Sequence, residues 1–473
     1  MTLISSPFVV DTSRSRFARL RPVSLPDVRL HDDFWAPRRA INASHTLKSQ
    51  FEQLEATSCL ENFRRVARGE NGGFVGPVFA DSDLYKWLEA AGSTLAQGED
   101  AELRDLVDIA ASAIVGAQQA DGYLDTHFSL HPEKDRWSRL AHDHQLYCMG
   151  HFIQAAIAHF RATNDPVLLD VASRIVGCLD AEFGWKTEGK REETDGHEEI
   201  ELALVELYRV TGEKRTLNLA QFFIDVRGRG TIGGGEYHQD HAPFRELTRV
   251  TGHAVRALYY LSGVADFYLE SGDKALWDAL IAQWNNYSQR QMYVSGGAGS
   301  RHEGEAFGDD FELPNARAYT ETCAAIAVVM ASWRLLQASG EARFGDDLER
   351  ALYNGALSGL SLGGDEYFYV NPLADAGGHR RKKWFGCACC PPNVARLLAQ
   401  LPGYFYSVAE NEIWVHLFAQ SEAKITLPGG HEVRVEQETA YPWDGRVIFR
   451  VSQATQGEMA LRVRIPAWAS GAT

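Results

Sequence analysis

Gly150-His151-Phe152-Ile153-Gln154-Ala155-Ala156-Ile157, Gly196-His197-Glu198-Glu199-Ile200-Glu201-Leu202-Ala203 and Gly252-His253-Ala254-Val255-Arg256-Ala257-Leu258-Tyr259 align without gaps. Their starts lie 46 and 56 residues apart, the length of one helical hairpin with its loops. In this alignment each Gly-His opens a long helix, apolar around much of its circumference as an inner helix covered on two sides must be. Apolar residues recur at three- and four-residue spacing from about Asp32 to Ser407, enough for roughly twelve helices. Hairpins of this length stack into an open solenoid or close on themselves, and roughly six of them favour a closed α/α barrel. In such a ring the inner helices run the same way and their N-termini share one rim. His151, His197 and His253, or near neighbours, then face a common cavity.

Outward from the repeat, the period changes. After Tyr406 the stretches Glu412–Phe418, Glu422–Leu427, His431–Gln437, Arg446–Ser452 and Glu458–Pro466 alternate apolar with polar, separated by Gly, Asn and Pro turns. The reading is mainly α, with three parts: an extended segment over 1–31, a barrel over 32–405 and a β-sandwich over 406–473. Five short strands are few for a closed sandwich, so the sandwich is expected to be incomplete in this chain.

The 473 residues carry 47 basic against 63 acidic side chains, a net charge of −16, which argues against a nucleic-acid or anionic-membrane partner. The longest apolar run, Cys323 to Met330, is far short of the ~20 residues that span a bilayer. The first residues have no basic start and no small-residue cleavage pattern, so no leader is read and the cytoplasm is the expected location. The 7 cysteines are too few and too clustered for a disulfide framework.

Three of those cysteines fall in Cys387-Ala388-Cys389-Cys390-Pro391-Pro392-Asn393. Adjacent cysteines rarely bond to one another, so Cys389 and Cys390 read as separate thiolates. The following prolines suit a turn into a helix N-terminus, whose dipole favours thiolate. A tetrahedral zinc site needs four donors; Glu321-Thr322-Cys323 at another helix start offers two more candidates. Glu303 and Glu305 lie in a Gly-rich loop, where a carboxylate at a barrel mouth suits a general acid. His142, His144 and His151 are metal-capable, although a substrate-facing or structural role suits them better.

The Cys-x-Cys-Cys-Pro-Pro-Asn stretch, with Gly304-Glu305-Ala306-Phe307 and Glu321-Thr322-Cys323 upstream, resembles glycoside hydrolase family 127, the β-L-arabinofuranosidases. The resemblance runs from His31-Asp32-Asp33-Phe34-Trp35-Ala36-Pro37-Arg38 through the Gly-His helices to the β-rich tail. It implies an α/α barrel of six hairpins followed by β-sandwich domains, in a chain that continues further in known members. It implies Zn2+ held by Glu321, Cys323, Cys389 and Cys390, with Cys387 outside the ligand set. The nucleophile falls on Cys389 and the general acid/base on Glu305. Sugar contacts fall on His144, His197, His253, Glu349 and Tyr369, and His151 reverts to a structural role. The implied reaction is retaining hydrolysis of a furanoside, with a β-linked L-arabinofuranosyl group as the sugar and a small carbohydrate or glycoside as substrate. Monomer and homodimer both stay open. A competing reading uses a carboxylate pair such as Asp309 and Asp310, as uronide hydrolases and sugar epimerases on this barrel do. A third makes the protein a non-catalytic carbohydrate binder stapled by zinc.

Overall fold

The computed structural model describes residues 3, 6–453 and 458–473. The reading that no leader is present falls partly on Met1, Thr2, Ile4 and Ser5, which lie outside the described residues. Six inner helices, Asp81–Leu95, Gln145–Thr163, Ile200–Thr211, Ala254–Ser271, Thr322–Ser339 and Cys390–Gln400, each pack on the next, and the last packs on the first. The ring is therefore closed, as an α/α barrel. The outer layer is formed by Ala101–Ala117, Val167–Glu182, Lys214–Val226, Lys274–Asn286, Ala342–Arg350 and the N-terminal helices over Trp35–Ala56.

Small residues let the inner helices approach closely. A Cβ on Gly150 would meet Glu199 Cγ at 2.8 Å, and one on Gly263 would meet Glu201 Cβ at 2.8 Å. Helix ends follow local chemistry. Asp100 caps the Leu103 amide, and Gly272, at φ 71°, takes the left-handed position that ends Ala254–Ser271. Thr322–Ser339 is long and apolar enough to cross a membrane by length and composition, yet 89% of that window is buried inside the barrel. At the end of the barrel axis away from the cysteines, buried ion pairs fill the bore: Arg396–Glu89 at 2.8 Å, Arg161–Glu206 at 2.7 Å and Arg209–Asp266 at 2.6 Å.

The Gly-His alignment conceals a difference in register. Gly196-His197 and Gly252-His253 precede helices that begin at Ile200 and Ala254, but Gly150-His151 lies inside a helix that begins at Gln145. His144, in the left-handed region at φ 55°, is the residue at that helix's N-cap. The residue equivalent in space to His197 and His253 is thus His144, and His151 is about two turns further down the bore, fully buried 3.2 Å from Glu199.

Two antiparallel-rich sheets follow the barrel. The strands are β1 (Arg21–Pro22), β2 (Val28–Leu30), β3 (Tyr406–Ala409), β4 (Glu412–Val415), β5 (Ser421–Thr426), β6 (Glu432–Thr439), β7 (Val447–Gln453) and β8 (Ala460–Val463). One sheet has the order β1-β3-β4-β8 and the other β2-β5-β6-β7. The N-terminal stretch therefore supplies one edge strand to each sheet, with Arg21 opposite Val408 and Val28 opposite Ala423. Buried alternation in β5 and β6 turns one face of that sheet inward, as the period-two pattern requires.

His416, between the sheets and the barrel, gives a first testable consequence. Its ring lies edge-on to Trp333, and burial and then Arg464 depress its pKa from 6.5 to about 3. The unfolded ring takes its proton near ~6.5, so the unfolded state binds more protons as pH falls below that value, and stability declines until the folded ring titrates. Near pH 4.5 this amounts to about 3 kcal/mol. His416→Gln should flatten the fall in thermal midpoint between about pH 6.5 and 4; an unchanged slope would refute the assignment.

Candidate active site

All six inner helices bring their N-terminal ends to one cavity. Phe79, His144, His197, His253, Glu321 and Cys389, each at or just before the start of a different inner helix, line a space of about 270 Å³. The positive ends of six helix dipoles converge there, a setting that favours anionic side chains.

The cysteine wall comes from two helix starts. Pro391 and Pro392 occupy the first turn of Cys390–Gln400, with Cys389 as N-cap. Glu321 is the N-cap of Thr322–Ser339, preceded by Thr320 in the left-handed region at φ 38°. Asn371 holds that bend by donating to Thr320 O and Thr322 Oγ1, each at 3.0 Å, and the Thr322 amide donates to Tyr369 O at 2.9 Å. Glu321, Cys323, Cys389 and Cys390 then present one donor atom each, all within 4.8 Å of one another. The Sγ atoms of Cys323 and Cys390 are 3.3 Å apart and those of Cys389 and Cys390 3.9 Å, and Glu321 Oε1 is 3.6 Å from both Cys389 and Cys390. All seven cysteines are free thiols. For bonds of ~2.3 Å to sulfur and ~2.1 Å to oxygen, the edges of a tetrahedron are about 3.6–3.8 Å, so these donors fit a four-coordinate metal.

The electrostatics agree. Burial, then the neighbouring Cys389 and Glu305, push the Glu321 carboxyl well above its usual range, and burial with the adjoining thiols raises Cys390 likewise. Burial would also raise Cys323, but hydrogen bonds from Cys389 and Cys390 bring it down to about 7. Four acidic groups crowded out of water are the donor set a cation relieves. Cys387 lines the same wall without joining the cluster. Its thiol donates toward Cys389 at 3.9 Å, and that contact, with burial, keeps it protonated. Tyr369 Oη accepts from the Cys389 thiol at 3.3 Å.

Glu305 adjoins this wall, its carboxylate, that of Glu321 and a His253 ring nitrogen all lying within 4.8 Å of one another. It ends the turn Glu303–Glu305 in the left-handed region at φ 52°, and an antiparallel bridge between His253 and Ala306 ties this turn to the start of Ala254–Ser271. His253 Nε2 is consequently 3.1 Å from Glu305 Oε2. Burial raises the Glu305 carboxyl, but hydrogen bonds from His253 and Tyr319 and the charge of Arg256 outweigh it, and the net shift is downward. The partner loop carboxylate, Glu303, points outward to Arg317 at 3.2 Å.

The histidines are neutral and their tautomers are legible. Burial, then Arg256, lowers His144 to about 3 and His197 well below 6.5. Nδ1 of His144 faces His142 O at 2.8 Å and Nδ1 of His197 faces Glu198 O at 2.8 Å. A carbonyl only accepts, so Nδ1 carries the proton and Nε2 is left as an acceptor.

Glu349 is elsewhere. It sits on the outer helix Ala342–Arg350, where Tyr441 Oη donates to it at 2.7 Å, Arg464 pairs with it at 3.1 Å and Trp468 Nε1 donates at 3.4 Å. Both its oxygens are occupied in tying the β-region to the barrel, so its assignment as a sugar contact is corrected. Asp309 and Asp310 are also outside the cavity, paired with Arg301 at 3.2 Å and Arg290 at 2.7 Å. The cavity adds residues that motif reading passed over: Lys86, Tyr147, Arg256, Tyr259 and Asn393. Arg256, Tyr259 and Asn393 stood inside the quoted stretches without being singled out.

Known proteins resemble the chain along most of its length. Residues 27–403 match the family model described as the β-L-arabinofuranosidase GH127 catalytic domain, and residues 412–473 the GH127 middle domain. A non-reducing end β-L-arabinofuranosidase of Bifidobacterium longum subsp. longum is 39% identical, the match covering 86% of this chain and 67% of that one. A solved GH127 β-arabinofuranosidase superposes with TM-score 0.92 at 39% identity over 95% of this chain and 72% of that one. A GH127 β-L-arabinofuranosidase from Geobacillus stearothermophilus T6 gives 0.89 at 41% identity, over 93% and 75%. The chain belongs to glycoside hydrolase family 127 and is a glycosidase.

Proposed function

We propose that the protein is a retaining β-L-arabinofuranosidase in which Cys389 is the nucleophile and Glu305 the acid/base. The observation that carries this reading is the pairing, in one cavity, of a thiol at a helix N-terminus with a carboxyl held by a histidine. Relatives named for β-L-arabinofuranoside cleavage supply the sugar. Retention requires two inversions at the anomeric carbon. Cys389 Sγ attacks that carbon as the glycosidic C–O bond breaks, and Glu305 gives its proton to the departing oxygen. The sugar is then held through a C–S bond. Glu305, now a carboxylate, takes a proton from water, whose oxygen displaces Sγ. The sugar leaves with its original configuration and the thiolate is restored. His197, whose Nδ1 proton faces Glu198 O, has Nε2 to accept a hydroxyl proton of the ring, while His144 Nε2 already accepts from Arg256 at 3.3 Å.

Glu321, Cys323, Cys389 and Cys390 would hold zinc, which when bound keeps its thiol ligands deprotonated. Protein purified without added metal should carry one equivalent of zinc by elemental analysis, and Cys390→Ser should lose most of it; full zinc in that variant would refute the ligand set. The reaction itself is checked by proton NMR of an aryl β-L-arabinofuranoside digest. The first anomer observed should be β, and an α product would dismiss the double displacement.

A further inference from the structure

Lys86 is the one ammonium among the cavity-lining residues, and its side chain is 1% exposed. It sits in the first two turns of the inner helix Asp81–Leu95, with Asp83 one turn before it. Asp83 Oδ1 is 3.7 Å away, beyond hydrogen-bonding distance. Among the described residues the one acceptor in reach is Tyr147 Oη, at 3.1 Å. An ammonium carries three protons and no acceptor; two of the three therefore make no hydrogen bond to the described residues, although the Asp83 carboxylate faces the charge at 3.7 Å.

Tyr147 is in the complementary position. Its oxygen accepts from Lys86, so its own proton has to go elsewhere, and among the described residues Lys86 is its only hydrogen-bond partner. Its ring is fixed by His151 and His197, with centroids 4.5 and 4.3 Å away. Lys86 and Tyr147 thus offer donors, and no acceptor, to one region of the cavity wall. The neighbouring His197 offers an acceptor at Nε2. A ligand that satisfies both is a hydroxyl, whose oxygen accepts and whose proton donates.

We propose that Lys86 and Tyr147 are a hydroxyl-anchoring pair: together they bind the oxygen of one ring hydroxyl of the furanosyl group and make the enzyme selective for sugars that carry it. This rests on the furanosidase reading above. Lys86 also polarises Tyr147, because donation into Oη strengthens the bond its proton makes. A hydroxyl taken away leaves two buried donors unpaired, so the site rejects the analogue that lacks it.

The test compares wild type, Tyr147→Phe and Lys86→Met on an aryl β-L-arabinofuranoside and on its 2-, 3- and 5-deoxy analogues. On the parent, Tyr147→Phe should lose roughly 10- to 100-fold in kcat/KM, the range for a hydrogen bond involving a charged network. On one deoxy analogue the same variant should match wild type within about 2-fold, the non-additivity expected of groups in direct contact. Lys86→Met should show the same signature on the same analogue. Tyr147→Phe removes a single oxygen, so it decides the matter even where Lys86→Met folds poorly. Equal losses on the parent and all three analogues would mark a structural role and overturn the proposal, as would no loss at all. Wild-type enzyme that leaves the parent uncleaved overturns the furanosidase reading, and the anchoring role with it.

Discussion

Replacing Cys389 with alanine should lower turnover by at least ~10³-fold, the scale of loss when a covalent nucleophile is removed. The thiol is half-buried at the N-cap of Cys390–Gln400, so its loss leaves no large void and the barrel should retain its thermal midpoint. Glu321, Cys323 and Cys390 remain as donors, and metal content measured alongside the rate separates loss of nucleophile from loss of the cluster. Wild-type enzyme quenched during turnover should yield a Cys389 peptide heavier by one anhydropentosyl unit. A Cys389→Ala enzyme of normal rate, or the adduct on another residue, would displace the nucleophile.

The second large effect concerns Glu305. Glu305→Gln should cost ~10²–10⁴-fold on alkyl glycosides, the span of general acid catalysis, and much less on nitrophenyl glycosides, whose leaving oxygen needs little protonation. Its pH behaviour has a definite sign. His253 and Tyr319 stabilise the carboxylate and hold Glu305 below the ordinary carboxyl range. The acid form is therefore favoured as pH falls, and the alkaline limb of kcat/KM, which reports the free enzyme's acid, should lie well on the acid side of neutrality. His253→Ala removes a bond that favours the ionised form, so the limb should move to higher pH. A limb that stays in place would show that another group sets it.

The chain itself disclosed a great deal of this arrangement. Cys389, Cys390 and Glu321 could be placed at helix starts because prolines and caps are local signals, and helix starts in a closed ring have to converge. His151 and His144 show the limit. The Gly-His alignment matched letters, but Gly150 is needed where two helices touch, whereas a Cβ on Gly196 would strike Ala141 O at 2.1 Å. The same dipeptide serves two packing needs, and only the helix start at Gln145 tells them apart. Glu349 failed for a different reason, since its partners Tyr441 and Arg464 lie about a hundred residues away in the β-region. Lys86 was silent because nothing adjacent in sequence signals that a lysine on an inner helix turns into the bore.

The short strands β1 and β2 have a consequence for how the chain is made. Arg21 and Val28 leave the ribosome early, but their partners Val408 and Ala423 follow only after the whole barrel. At ~5–20 residues per second the wait is roughly 20–80 s. Throughout it the six inner helices can assemble while β1 and β2 wait for their strand partners, so the two sheets can close only after the barrel is complete.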